Sequence, residues 1–262
     1  METRYFFFTG DEFLYSLQNH LTINCLFSFK VDAVELAHAE ARRKFLPAFD
    51  VDAKEPHLVY DARDIAGDDA WGQVSRVTDA CLAQDNLFEA LTGRGHWYES
   101  VQSVLKAVAT NSPSAKYQIK CAILLNHMIH FQRRSRNITR GSVEEIAQFM
   151  KLPLEITTRF LELFTTPITD DRGQQGYASS KQNKDMCLVH ILLLYLMAHG
   201  RSMKTGNLKP ITDDVKIELG EAANLLREAG CTVKSAGNNV MSAALTVPLT
   251  FPPPKRGRGK AN

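Results

Sequence analysis

The clearest hydrophobic pattern in the 262-residue chain lies between Ser114 and Gln132, where Ile119, Ala122, Ile123, Asn126, Met128, Ile129 and Phe131 form a broad surface at helical spacing. It predicts a core helix. Ser142, with Glu145 three residues on, has the form of a capping box and opens a shorter helix, Val143 to Met150. Lys151-Leu152 reads as a turn. Pro153 then suits the first position of a third helix, which runs through Phe160, Leu161 and Phe164 and stops before Pro167. Three helices, the last two short and joined by a tight turn, have the order of a helix-turn-helix. A polar loop follows from Asp170 to Ser180.

The order then repeats. Asp185 to Ala198 is nearly all apolar and predicts a second buried helix, with Gly200 as its stop. Thr212 to Leu219 predicts one short helix. Glu221 to Ala229 predicts another, with Ala222, Leu225, Leu226 and Ala229 on one face and Gly230 at its end. Strands are expected over Cys231–Ser235 and over 243–251, where Leu245, Val247 and Leu249 alternate, with Gly237-Asn238-Asn239 as the hairpin turn. Helix, helix, helix and hairpin is the order of a winged helix.

Upstream the pattern is weaker. Residues 1–36 hold many Phe and Leu without a sustained period. From Arg42 the chain turns extended, since Pro47 and Pro56 each restrict the residue before them. Helices are expected around Asp68–Val74, Asp85–Leu91 and Tyr98–Ala109. The fold class is therefore mainly α with small β-hairpins: tandem winged-helix (helix-turn-helix) domains preceded by an extended linker. Its divisions are an unassigned segment (1–36), the linker (37–84), a first winged-helix domain (85–180), a second (181–254) and a basic tail (255–262).

Charge changes this picture most. The net charge of +2 hides a net −7 over residues 1–112 and +9 over 113–262, so the second half is the candidate polyanion surface. Arg133, Arg134, Arg136 and Arg140 follow the first core helix without an intervening carboxylate. Cations there offset the helix dipole, but four exceed that need. Lys181, Lys184, Arg201, Lys204 and Lys209 form a second, more diffuse series. The tail adds Lys255, Arg256, Arg258 and Lys260. A solvated basic face is the alternative for each group.

The third helices are close to neutral: Glu155, Arg159 and Glu162 in one, Glu221, Arg227 and Glu228 in the other. Reading base edges needs Arg, Lys, Asn or Gln on that helix, so backbone contact is favoured over sequence recognition. His127 and His130, three apart, have no third ligand beside them and read as core and boundary residues. Asp170-Asp171 and Asp213-Asp214 suit a loop and a cap. The five cysteines are scattered and read as small buried residues, without a zinc ribbon or disulfide scaffold. No nucleophile and base share a local signature. No enzyme, cofactor or metal is expected. The apolar start is interrupted by Asp11, Glu12 and His20, which excludes a membrane span there, and Glu2 argues against a secretory leader, so an intracellular protein is expected.

Four segments in order resemble one family: F-L-P-A-F-D-V-D-A-K-E-P-H-L-V-Y-D, I-K-C-A-I-L-L-N-H-M-I-H-F-Q-R-R-S-R, L-P-L-E-I-T-T-R-F-L-E-L-F-T, and L-L-R-E-A-G-C-T-V-K with A-L-T-V-P-L-T-F-P. From about Arg42 to Lys260 the chain is similar to the C-terminal part of the forty-nine-kilodalton-type subunit of RNA polymerase I, called polymerase-associated factor fifty-three in animals. The resemblance implies a linker and a tandem winged helix like that of TFIIE, near the polymerase cleft and contacting DNA. It implies support of initiation and elongation on ribosomal DNA in the nucleolus, with RNA polymerase I core subunits and duplex DNA as partners. Its DNA-facing surface would fall on Arg133, Arg134, Arg136, Lys181, Lys184 and Lys209. Family members begin with a β-rich domain that pairs with a TFIIF-like subunit. Residues 1–36 are too short to supply one. A protein-interaction module in another transcription or scaffold complex is the alternative function.

Overall fold

The computed structural model describes residues 40–84, 86–93, 95–109, 112–237 and 240–252. Leu46–Pro252 form one compact unit; residues 40–45, which belong to a separate one, are helical. The unassigned segment 1–36 and the tail 255–262 lie outside the described residues.

The chain expected to be extended from Arg42 is helical as far as Phe45, and beyond Leu46 Phe49 is bridged to Tyr60 around a short 3-10 turn at Pro56–Leu58. From Ala62 it departs from that expectation. α1 (Ala62–Ala66) is capped by the Asp61 side chain, which accepts from the Arg63 amide at 3.0 Å. α2 (Asp68–Leu82) buries Ala70, Val74, Thr78 and Cys81 along one face. Those positions have helical spacing, but small and polar side chains carry them, so the apolar signal is faint. α3 (Leu87–Thr92) and α4 (Glu99–Ala107) complete this first helical layer.

Two topologically identical units follow. The first is α5 (Ala115–Arg134), β1 (Ile138–Arg140), α6 (Val143–Met150), α7 (Leu154–Phe164), β2 (Thr166–Thr169) and β3 (Gln175–Ala178), with sheet order β1-β3-β2. The second is α8 (Lys181–Ala198), β4 (Lys204–Thr205), α9 (Lys209–Val215), α10 (Leu219–Glu228), β5 (Cys231–Ser235) and β6 (Met241–Leu245), with order β4-β6-β5. All strand pairs are antiparallel. The helix-turn-helix corners also match. Lys151 and Lys216 both adopt left-handed backbone, and the next amides, Leu152 and Ile217, donate to Ala147 and Thr212 at 3.1 Å. This is a mainly helical, winged-helix-like fold carried twice.

The expected capping box is present, with Ser142 and Glu145 bonded reciprocally. Several boundaries moved. Lys209 and Pro210 open α9 and left-handed Lys216 ends it, so the helix expected over Thr212–Leu219 starts three residues earlier and stops four residues earlier. The expected polar loop Asp170–Ser180 contains β3, and β1 was not anticipated. The last strand ends at Leu245 rather than reaching Phe251, since Pro248 offers no amide to continue a ladder. Gly230 turns with φ +81°, and a Cβ there would lie 2.5 Å from Leu249.

The core lies between α5 and α8, which pack against each other. Twelve consecutive residues of α8, Cys187 to Ala198, are buried. Phe131, Phe160 and Phe164 stack tilted and edge-on, and Phe164 meets His190 of α8 at 5.2 Å. Polar tethers join the layers. Tyr60 donates to the Ala229 carbonyl at the end of α10, 2.8 Å. Asn126, buried in α5, accepts from the Tyr98 amide and donates to the His96 carbonyl, both at 3.2 Å. The Asp214 carboxylate accepts from the Ser100 amide in the first turn of α4 at 2.8 Å, so this aspartate caps a helix other than its own. Asp170 bonds its local loop amides at Arg172 and Gln174, each 2.9 Å. Cys81, Cys121, Cys187 and Cys231 are free and buried, as small core residues.

Candidate nucleic-acid interface

The arginines after α5 divide into two kinds. Arg133 donates to the Asp214 carbonyl at 2.8 Å, and Arg134 to the Phe149 carbonyl at 3.0 Å. Each closes the end of a neighbouring helix, α9 or α6, where carbonyls lack partners. Arg136 and Arg140 do neither. Ile138 and Arg140 share one face of β1, Arg136 precedes the bend at Asn137 that leads into it, and all three are exposed.

Beside them runs an open groove of about 500 Å³ lined by Arg134, Arg136, Ile138, Thr139, Arg140 and Phe149. Among the described residues no carboxylate lies within ion-pair distance of its arginines. Edge strand β1 carries this face because only β3 pairs with it.

The start of α8 is drawn to the same strand. The Ser179 amide donates to the Asn137 carbonyl at 2.8 Å, and the Lys184 ammonium is hydrogen-bonded to the Asn137 side-chain oxygen. Arg136 and Lys184, 48 positions apart in the chain, therefore flank one asparagine. Lys181 is the first residue of α8 and exposed. Both lysines sit at the positive end of the helix dipole, where a cation is unfavourable, so helix stability does not account for them.

Other anticipated cations are elsewhere or otherwise engaged. Lys209 pairs with Asp213 one turn on in α9, 2.5 Å. Arg201 and Lys204 are exposed around β4. Lys255, Arg256 and Arg258 lie outside the described residues.

The cations of the third helices are bonded within the protein. Arg159, the one cation of α7, donates back to the Ile65 and Asp64 carbonyls of α1 at 3.2 and 2.9 Å. In α10, Arg227 donates to Asn224 at 3.1 Å. The histidines of α5 are half-buried. His130 Nε2 donates to the Met150 carbonyl at 2.8 Å, and burial, helped by Arg134, keeps the ring neutral. Burial holds His127 down at about 4, with His130 adding to the effect. Both line a second cleft of about 610 Å³ with His96, Trp97 and Lys151. Among the described residues no cluster of His, Cys, Asp or Glu could hold a metal ion.

Sequence reasoning missed Phe149 and Ile138, which are 58% and 50% exposed. A signal existed for the first: α6 buries Ile146, Ala147 and Met150, and Phe149 falls off that face. Nothing local linked Lys184 to Arg136.

Two winged-helix-like units in series, with near-neutral third helices, define a tandem helix-turn-helix fold. Residues 28–252 match the A49-like RNA polymerase I associated factor family. The chain belongs to that family, and so to the transcription apparatus of RNA polymerase I. Compared with curated proteins it has no significant match.

Proposed function

We propose that this protein is a non-catalytic, nucleolar subunit of RNA polymerase I that holds DNA against the enzyme by phosphate contacts, with little sequence preference, supporting initiation and elongation on rRNA genes. The observation that carries the DNA contact is the carboxylate-free strip of Arg134, Arg136 and Arg140, continued by Lys181 and Lys184. Cations placed against their own helix dipole, and guanidinium groups without carboxylate partners, suit a polyanion supplied from outside. Family membership supports the polymerase partner. A TFIIF-like second subunit and the contributions of Arg133, Lys209 and the 255–258 cations belong to the same proposal. The non-catalytic reading is supported by histidines bound into the core, His130 to Met150 and His190 to Met186.

Competition among unrelated duplexes at low salt tests it. Equal affinities are expected, reduced severalfold in the variant Arg136→Ala/Lys181→Ala/Lys184→Ala. No duplex binding at low salt would refute the DNA contact. A second reading, a protein-docking module, is favoured by one observation: α7 is bonded to α1 instead of standing free. Recovery from cells with a scaffold complex and no polymerase subunit would establish that reading instead.

A further inference from the structure

The groove beside β1 holds more than charge. Phe149, 58% exposed, and Ile138, 50% exposed, line it together with three guanidinium groups. Apolar exposure of that size beside three arginines calls for a partner that is anionic and flat at once. A duplex phosphate backbone offers no flat apolar face, and paired bases present only their edges. A phenyl ring has no donor or acceptor with which to read an edge. Unpaired bases, strung on a phosphate backbone, offer both properties, and ring stacking between cationic contacts is how single strands are bound without sequence preference.

We propose that the groove between β1 and the end of α6 binds single-stranded nucleic acid, with an unpaired base stacked on Phe149 and flanking phosphates held by Arg136 and Arg140. The inference rests on the reading above that this face meets nucleic acid, and it adds the state of the strand. Arg136 and Arg140 line the same groove as Phe149, four positions apart in the chain. Arg134 is anchored through one N–H to the Phe149 carbonyl, which fixes the end of α6 and leaves its remaining donors for the groove. The second unit has no counterpart: the position matching Phe149, one before the last residue of the helix, is Asp214, which caps α4. The site belongs to the first unit alone.

The test is titration of the full chain against labelled oligothymidylate, oligouridylate and a random duplex at one low salt concentration. Phe149→Ala is expected to weaken single-strand binding by about 5- to 100-fold and to leave duplex binding unchanged. Phe149→Trp is expected to keep single-strand affinity, and Arg136→Ala/Arg140→Ala to lower both. Comparing the two oligonucleotides shows whether DNA or RNA is the better occupant, and Phe149 dependence with either supports the site. Full single-strand affinity in Phe149→Ala overturns the proposal while leaving duplex holding intact. Binding of polyglutamate that depends on Phe149, with none of either oligonucleotide, overturns it in favour of an acidic protein segment. Failure to bind duplex and single strand alike would refute the nucleic-acid reading altogether. Because Phe149 is exposed, an unchanged melting temperature in Phe149→Ala is the control for folding.

Discussion

Four arginines within eight positions look equivalent in the sequence, yet Arg133 and Arg134 bond helix-end carbonyls while Arg136 and Arg140 stand in the open. Stability should separate them. Arg134→Ala is expected to cost about 1 kcal/mol in urea unfolding through its lost bond to Phe149. Arg136→Ala and Arg140→Ala should stay within about 0.5 kcal/mol of the parent. Histidines set a second expectation. Burial holds His190 and His127 down at about 4, below the ordinary 6.5, so both are neutral in the fold. The unfolded chain then binds more protons between these values, and stability is lost as pH falls through that window. For His190 alone the loss approaches about 3 kcal/mol by pH 4. Urea midpoints should therefore fall on acidification from neutrality, and less steeply in His190→Gln. A flat profile would contradict neutral burial.

Among the elements, those with a strong local signal were legible. The Ser142–Glu145 box fixed the start of α6, and the apolar run of α8 ends before Gly200 as expected. Short strands were not legible. β1, β2 and β3 have three or four residues and contain Pro167 and Gly176, and β1 finds its partner, β3, some 35 positions along the chain. Gly176 allows close approach, since a Cβ there would lie 3.0 Å from the Thr139 carbonyl. The sequence predicts α2 only around Asp68–Val74, because its buried stripe ends in Thr78 and Cys81. The candidate site divides the same way: its cations were visible as composition, but their grouping required the Asn137 bonds to Ser179 and Lys184. Asn126 is a further case, placed in an apolar surface by spacing although it clamps the segment before α4. Asn126→Ala should cost about 2 kcal/mol by leaving the Tyr98 amide unpaired. Faster hydrogen exchange at that amide would confirm the clamp, and an unchanged rate would deny it.

At the scale of the molecule, the two winged-helix-like units share one core through α5 and α8, and Asp214 ties α4, α5 and α9 together. Leu46–Pro252 should therefore unfold in one step, with tryptophan fluorescence from Trp71 and Trp97 coinciding with far-ultraviolet circular dichroism. Separate midpoints would show the units to be independent. This shared core also sets what the surface can do. With α7 bonded to α1, the first unit offers its edge strand and its junction with α8, which suits holding a backbone more than reading a groove. The most direct test is the affinity of the full chain for random duplex across a salt series, with Arg136→Ala/Arg140→Ala in parallel. Log K is expected to fall linearly with log salt, with a slope shallower by about 1 to 2 in the double variant. A salt-independent affinity, or an unchanged slope in that variant, would contradict the DNA contact.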